Sequence, residues 1–131
     1  QQPIASGALL LGDSMGEMAM YYATADVACI GGSLLPLGGQ NLIEACAVGT
    51  PVVLGPHTFN FAQVAEQAIA AHAAVRAADA DAGMREALAL LDDAARRRAT
   101  GEAGRSFAAA HRGATRRTTA LVDELLGGRA A

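Results

Sequence analysis

The 131-residue sequence has little of several things that would place it in a class at once. Aromatic residues make up only 4% of it although 52% of its residues are hydrophobic, because the apolar content is mostly alanine with leucine and valine. That composition is typical of a helix-rich globular protein. The net charge of −3 leaves no basic surface of the kind that nucleic-acid-binding proteins carry, so we expect no nucleic-acid partner.

Long apolar runs and metal-ligand patterns are also lacking. No stretch approaches the roughly 18 apolar residues of a membrane span, and the N-terminus lacks a basic-then-apolar targeting pattern, so we expect a soluble chain. Cys29 and Cys46 lie in apolar stretches without CxxC spacing or a histidine at ligand spacing. We therefore expect two reduced core thiols, no metal site and no cofactor.

What the sequence does contain is an alternation of short apolar runs with helical patterns. The apolar runs that suit strands lie at 8–12, 26–32, 51–55 and, more weakly, 74–79. The helical patterns between and after them lie at 13–25, 41–49 and 61–73. This alternation predicts an α/β fold, a Rossmann-like parallel sheet of about four strands with flanking helices. The length suits one domain over 1–131 and is too short for two ordinary ones.

The remaining sequence is helical in pattern. From residue 81 onward we predict helices with breaks near Gly101 to Gly104 and at Gly113, and a frayed tail at 127–131. Asp13 or Ser14 is the predicted cap of the helix at 13–25. Because the first strand pattern begins almost at once, we expect the chain to be part of a larger enzyme.

The stretch "GGQNLIE" at 38–44 is the first candidate site. Unpaired amides at the start of a helix attract anions, and glycines allow a phosphate to approach, which fits Gly39, Gln40 and Asn41. Glu44 lies about 300° around the helix from Asn41, on nearly the same face, where its carboxylate could accept hydrogen bonds from a ribose diol. An N-cap by Asn41 with Glu44 completing a capping box is an equally good reading, and the two are compatible.

Two further loops follow predicted strands. Met15, Gly16 and Glu17 could pass under a flat base, or could simply begin a capped helix. His57 could bind a carboxylate or phosphate, or could pack the loop. Because ligands of parallel sheets bind beyond the carboxyl ends of the strands, we expect all three loops to open on one edge.

Three motifs in this order and spacing carry a family resemblance: "GDSMGEM" (12–18), "ADVACIGGSLLPLGGQNLIEA" (25–45) and "GPHTFNF" (55–61). Over residues 11 to about 75 the chain resembles the C-terminal domain of bacterial 3-deoxy-D-manno-octulosonic acid (Kdo) transferases. The resemblance implies a GT-B glycosyltransferase that moves Kdo from CMP-Kdo to a lipid A precursor, at the cytoplasmic face of the inner membrane of Gram-negative bacteria. By position, Met15, Gly16 and Glu17 match the family's CMP-contacting loop, and Asn41, Leu42, Ile43 and Glu44 match its phosphate and ribose segment.

The chain also departs from that family. Gln40 stands where the family has histidine, and it can form hydrogen bonds but cannot carry positive charge. The family's general base lies in an N-terminal domain that this chain lacks, so we expect no catalytic residue here and no activity from the isolated chain. Another GT-B transferase using a UDP- or ADP-sugar, or a non-enzymatic Rossmann-like binding module, remain alternatives. An unpaired strand edge could also allow the isolated chain to dimerise.

Overall fold

Three short strands form the centre of the fold. The computed structural model describes residues 6–112 and 114–127. Its strands are β1 (Ala28–Ile30), β2 (Val52–Leu54) and β3 (Ala74–Arg76), which pair in parallel in the order β1-β2-β3. β2 is buried along its whole length, as expected of a central strand with helices on both faces. The predicted parallel sheet with flanking helices is therefore confirmed.

Helices connect the strands and cover the sheet, because parallel neighbours cannot be joined by a tight turn. They are α1 (Met18–Thr24), α2 (Ile43–Val48), α3 (Ala62–Ala70), α4 (Ala80–Asp92), α5 (Ala94–His111) and α6 (Ala114–Gly127). Two 3₁₀ turns, Gly31–Ser33 and Phe59–Phe61, follow β1 and β2. Both turns lie at the carboxyl edge of the sheet, where the candidate site was predicted.

The sheet separates two apolar clusters. Side chains alternate between the faces of a strand, so Val52 and Val53 point in opposite directions. Val52 belongs to the larger cluster, together with Cys46 of α2 and Phe107 of α5. Val53 packs with Leu90 of α4 in the smaller one. The helices on both faces hold β2 in place, and with it the loop that follows it.

The break predicted near Gly101 to Gly104 is wrong. α5 runs through both glycines, and the interruption falls instead at Asp93, which is extended and whose Oδ1 accepts the Arg96 N–H at 2.9 Å. The glycines lie where α5 crosses α2: a Cβ at Gly101 would collide with the carbonyl of Gly49. They allow two helices to approach closely, so their position reflects packing rather than a helix end.

Two predictions at the start of the chain are also wrong. Residues 8–12 form no strand, and Leu9 and Leu11 are exposed, so the described residues contain three strands rather than about four. An apolar run needs a backbone partner as well as apolar side chains, and these residues do not pair with β1. The next helix begins at Met18 rather than Asp13, with no side-chain cap. The Ser14 Oγ forms its hydrogen bond with the Tyr21 hydroxyl instead, at 2.7 Å.

The cysteines differ from each other. Cys46 is buried as predicted, whereas Cys29 is exposed, and both are free thiols. Cys29 lies opposite Val53 in the register. Because β1 pairs on one side only within the described part of the chain, its side chains have less cover than those of β2.

The carboxyl-terminal predictions are met only in part. α5 ends at His111 and α6 starts at Ala114, while Gly113 itself lies outside the described residues. Of the predicted frayed tail, Gly127 is the last residue of α6, and residues 128–131 lie outside the described ranges. None of the helices described is long and apolar enough to cross a bilayer.

Candidate functional site

Two loops meet at the carboxyl edge of the sheet, one after β1 and one after β2. The His57 N–H donates to the Ser33 carbonyl at 2.9 Å, and the Asn60 N–H donates to the Gly38 carbonyl at 3.2 Å. The side-chain amide of Asn60 also donates to the Leu37 carbonyl, at 3.2 Å. These bonds confirm the expected shared edge for the glycine-rich loop and the His57 loop, but not for the Met15 loop, which follows no strand of the described sheet.

The glycine turn depends on its two glycines for conformation and for space. Gly38 and Gly39 have φ of 88° and 72°, in the left-handed region that glycine adopts at little cost. A Cβ at Gly38 would collide with the side chains of Phe59 and Asn60. A Cβ at Gly39 would lie 3.3 Å from the Ser33 Cβ. The glycines therefore let the turn pack against its neighbours.

Some backbone N–H groups of this turn are hydrogen-bonded within the protein, and others have no partner in the described structure. The Gly39 N–H donates to the Gly32 carbonyl at 3.1 Å, so it is not available to a ligand. The Ile43 N–H is capped by Asn41 Oδ1 at 3.0 Å. Between these two, the N–H groups of residues 40–42 have no hydrogen-bond partner among the described residues. Three consecutive open donors at the start of a helix suit an anion better than any other ligand.

Some side chains along this turn pack into the core and others are exposed. Leu42 is only 1% exposed, and Ile43 packs against the same apolar cluster, so only their backbone can face a ligand. Gln40, Asn41 and Glu44 are exposed. The Asn41 side chain acts as the predicted cap, but no described hydrogen bond returns from Glu44 to the Asn41 N–H, so the capping box is half formed. The Glu44 carboxylate therefore takes no part in capping.

Glu44 faces α1. Burial raises the pKa of the Tyr22 phenol, and the negative charge of the neighbouring Glu44 carboxylate raises it further. Tyr22 is on the helix that follows the Met15 loop, and this helix packs against α2. The Thr50 hydroxyl fixes this arrangement by donating to the Tyr22 carbonyl at 2.6 Å.

The Met15 loop is the least constrained part of the candidate site. Met15 is 96% exposed, and nothing lies within 4 Å of a Cβ built on Gly16, whose φ is 81°. Glu17 is exposed and precedes α1 without forming a side-chain cap. No hydrogen bond described for 6–112 and 114–127 joins Met15, Gly16 or Glu17 to the glycine turn. Proximity between them is supported only through the packing of α1 on α2.

Sequence reasoning missed the residues that hold the two loops together. Ser33 is fully buried and accepts or donates three of the hydrogen bonds at this edge. Thr58 accepts a hydrogen bond from Arg76 Nη2 at 3.0 Å, and Arg76 also pairs with Glu66 at 2.6 Å. A hydroxyl residue directly after a strand and two glycines was the available signal for Ser33, but two of its partners, Gly55 and His57, are distant in sequence.

A cleft of about 220 Å³ lies at the opposite, amino edge of the sheet, lined by Arg97, Arg98 and Arg105 among others. Arg97 Nη1 donates to the carbonyls of Leu90 and Leu91 at 3.1 and 2.6 Å. Arg105 donates to the carbonyl of Val48, at the end of α2, at 3.1 Å. Two of these guanidinium groups therefore hold helix C-termini, and the cleft is remote from the loops of the candidate site. No group of three metal-ligating side chains occurs in the described part of the chain.

No family model matches the chain. The parallel sheet, its flanking helices and the two loops that meet at its carboxyl edge define a Rossmann-like α/β domain, and the crystal structure of the C-terminal CMP-Kdo binding domain of WaaA from Acinetobacter baumannii has the same fold. That likeness has a TM-score of 0.69 at 33% identity, and covers 73% of this chain and 50% of the other.

The relatives by sequence are more specific. The chain is 60% identical over 119 residues to the 3-deoxy-D-manno-octulosonic acid transferase of Bordetella pertussis, covering 91% of this chain. It is 37% identical over 119 residues to the enzyme of the same name from Haemophilus influenzae, covering 90% of this chain. The chain spans 28% of the length of each of these relatives. The chain is therefore a homologue of the Kdo transferases, as the three motifs predicted.

Proposed function

We propose that the chain is the nucleotide-sugar-binding domain of a Kdo transferase, a single Rossmann-like domain in the C-terminal half of a GT-B enzyme. The observation that carries this proposal is 60% identity to a Kdo transferase across 91% of the chain. The structural neighbour is named as a CMP-Kdo binding domain, which supports CMP-Kdo as the ligand. The whole enzyme would transfer Kdo to a lipid A precursor in lipopolysaccharide biosynthesis, at the cytoplasmic face of the inner membrane.

The geometry of the carboxyl edge suits both halves of a cytidine nucleotide. The open amides of Gln40, Asn41 and Leu42 would bind the phosphate ester, and the Glu44 carboxylate would accept hydrogen bonds from the ribose diol. The exposed Met15 and the open backbone at Gly16 would pass beneath the base. His57 borders the glycine turn, since a Cβ at Gly39 would lie 3.4 Å from the His57 carbonyl oxygen.

Each group in this site would have a limited chemical role. We propose an inverting, metal-independent displacement, in which amides directed at the phosphate stabilise the charge that develops as CMP leaves. Gln40 would add a neutral donor where a positive charge is common in the family. The general base and the acceptor would come from the N-terminal domain, so the 131 residues alone should transfer no Kdo. Transfer measured with the isolated chain would contradict this assignment.

The ligand can be tested by calorimetry on the full-length protein. CMP should bind, and Glu44→Gln should raise the Kd of CMP about tenfold or more, because a hydrogen bond to a charged group is worth about 1.5–3 kcal/mol. Glu102→Gln removes an exposed carboxylate from α5 and is the matched control, with unchanged affinity expected. Unchanged CMP affinity in both Glu44→Gln and Asn41→Ala would overturn the site assignment.

The same titration separates the alternatives. Tighter binding of UDP or ADP than of CMP would indicate another GT-B transferase that uses a different nucleotide sugar. No binding of any of the three would favour a non-enzymatic module whose loops serve only packing.

Association of the isolated chain is a separate proposal. β1 pairs only with β2 in the described residues, and a free strand edge favours association. Sedimentation of the chain alone should then show dimers that are absent from the full-length protein.

A further inference from the structure

One buried hydroxyl joins the ends of two neighbouring strands. Ser33 is 0% exposed, at the end of the 3₁₀ turn that follows β1. Its Oγ donates to the Ile30 carbonyl at 2.5 Å and accepts the Gly55 N–H at 2.7 Å. Ile30 is the last residue of β1 and Gly55 directly follows β2. The hydroxyl therefore sets the distance between the two strand ends at the point where their loops diverge.

The backbone of the same residue contacts both loops. The Ser33 carbonyl accepts the His57 N–H at 2.9 Å, and its Cβ lies 3.3 Å from the Cβ position of Gly39. A Cβ at Gly55 would collide with the Ser33 carbonyl, so the β2 loop passes directly over it. Ser33 is thus packed between the glycine turn on one side and the His57 loop on the other.

We infer that Ser33 is a positioning residue for the nucleotide phosphate: it touches no ligand, but holds the glycine turn at the separation from the His57 loop that directs the amides of residues 40–42 outward. This inference rests on the proposed function, since it presumes a phosphorylated nucleoside at this edge. The physical reason lies in the Gly55 N–H. Gly55 is buried, so removal of the Ser33 hydroxyl leaves its amide without an acceptor. The loops must then separate to admit water or to find another partner, and the turn moves with them.

The test compares two ligands that differ only in the phosphate. CMP and cytidine are titrated into the full-length protein, CMP by calorimetry and cytidine by amide-proton NMR up to millimolar concentration. Ser33→Ala should raise the Kd of CMP about tenfold, the effect of one misplaced hydrogen-bonding group, and should leave the Kd of cytidine within about twofold. A general loss of structure would weaken both ligands alike.

Two further variants separate positioning from stability. Ser33→Thr keeps the hydroxyl and should restore CMP affinity to within about threefold of the parent protein, about half of the loss on a free-energy scale. Leu90→Ala creates a cavity under α4, away from the loops, and should lower the melting temperature at least as much as Ser33→Ala. Both ligands should bind Leu90→Ala as they bind the parent. If Ser33→Ala does not fold, Ser33→Cys, which keeps a weak acceptor, takes its place in the same comparison.

The outcomes are distinct. Equal weakening of CMP and cytidine by the Ser33 variant, or no change in either, would overturn the inference while leaving the proposed function intact. A parent protein that binds no CMP would reject the proposed function itself, and the inference with it. Selective loss of CMP with recovery in Ser33→Thr would support the role of the hydroxyl.

Discussion

The close crossing of α5 over α2 predicts opposite stability changes for the same substitution at two helical glycines. Gly101 of α5 and Gly83 of α4 are both buried glycines inside helices. A Cβ at Gly83 would meet Ala77 Cβ and Leu34 Cδ2 at 3.7 Å, which is ordinary van der Waals contact. A Cβ at Gly101 would collide with the Gly49 carbonyl oxygen and lie 3.3 Å from its carbon. Gly83→Ala should therefore stabilise the protein, and Gly101→Ala should destabilise it.

Both substitutions gain helix propensity, and only Gly101→Ala also has the cost of a steric collision. Replacing glycine by alanine inside a helix is worth about 1 kcal/mol, and burying the methyl group adds up to about 0.8 kcal/mol. Gly83→Ala should thus raise the free energy of unfolding by about 1–2 kcal/mol. At Gly101 the obstacle is backbone that cannot rotate away, and overpacking costs about 1–3 kcal/mol or more. Because the helix gain of about 1 kcal/mol offsets part of this cost, we expect a net decrease of up to about 2 kcal/mol.

Urea unfolding followed by far-ultraviolet circular dichroism measures both variants against the parent. Displacement of α2 should also move the amides of Gln40 to Leu42, so Gly101→Ala should weaken CMP binding, whereas Gly83→Ala should not. A Gly101→Ala protein as stable as Gly83→Ala would refute the reasoning. It would mean that α5 and α2 do not approach as closely as the structure shows.

Three further outcomes are expected. Burial raises the pKa of the Cys46 thiol from 9.0 to about 11. The neutral buried thiol should therefore contribute fully to stability below pH 9, and this contribution should be lost as the pH rises from 9 to 11. Cys46→Ala should abolish that part of the decline when unfolding free energy is measured against pH. In the folded protein a thiol reagent should label Cys29 before Cys46, as mass spectrometry of the labelled peptides would show, and equal labelling rates would contradict the burial difference. Asp79→Ala removes the carboxylate that accepts the Ala82 N–H at 2.7 Å at the start of α4, and should cost about 1 kcal/mol of unfolding free energy. Asp81→Ala, two residues later in the first turn and without that bond, should cost less.

Local pattern was sufficient for much of the fold. The buried run around Val53 and the weaker one around Val75 both predicted strands, and both strands formed, because each is short, apolar and followed by a helix. The run at 8–12 reads the same way and failed, since its leucines have no partner strand in the described structure. Periodicity reports what a segment can form, and a strand forms only where another backbone accepts its hydrogen bonds.

Glycine was the residue type most easily misread. A glycine pair in a helical pattern predicted an interruption near Gly101 to Gly104, whereas the pair at Gly38 and Gly39 was correctly assigned to a turn. The two pairs differ in the neighbour that approaches: the carbonyl of Gly49, just after α2, in the first case, and Asn60 from the His57 loop in the second. Neither neighbour can be identified from spacing along the chain.

The sequence by itself determined the class of fold, the presence of the glycine-rich loop and the His57 loop at the carboxyl edge, and the kinship with Kdo transferases. All three depend on residues that are close together in the chain or on motifs in a recognisable order. Tertiary structure alone decided which amides stay open and which side chains are buried, and showed that Ser33 joins Ile30 to Gly55, which is 22 residues beyond Ser33. A hydrogen bond across that separation depends on how two strands pair, and strand pairing is a property of the folded chain as a whole.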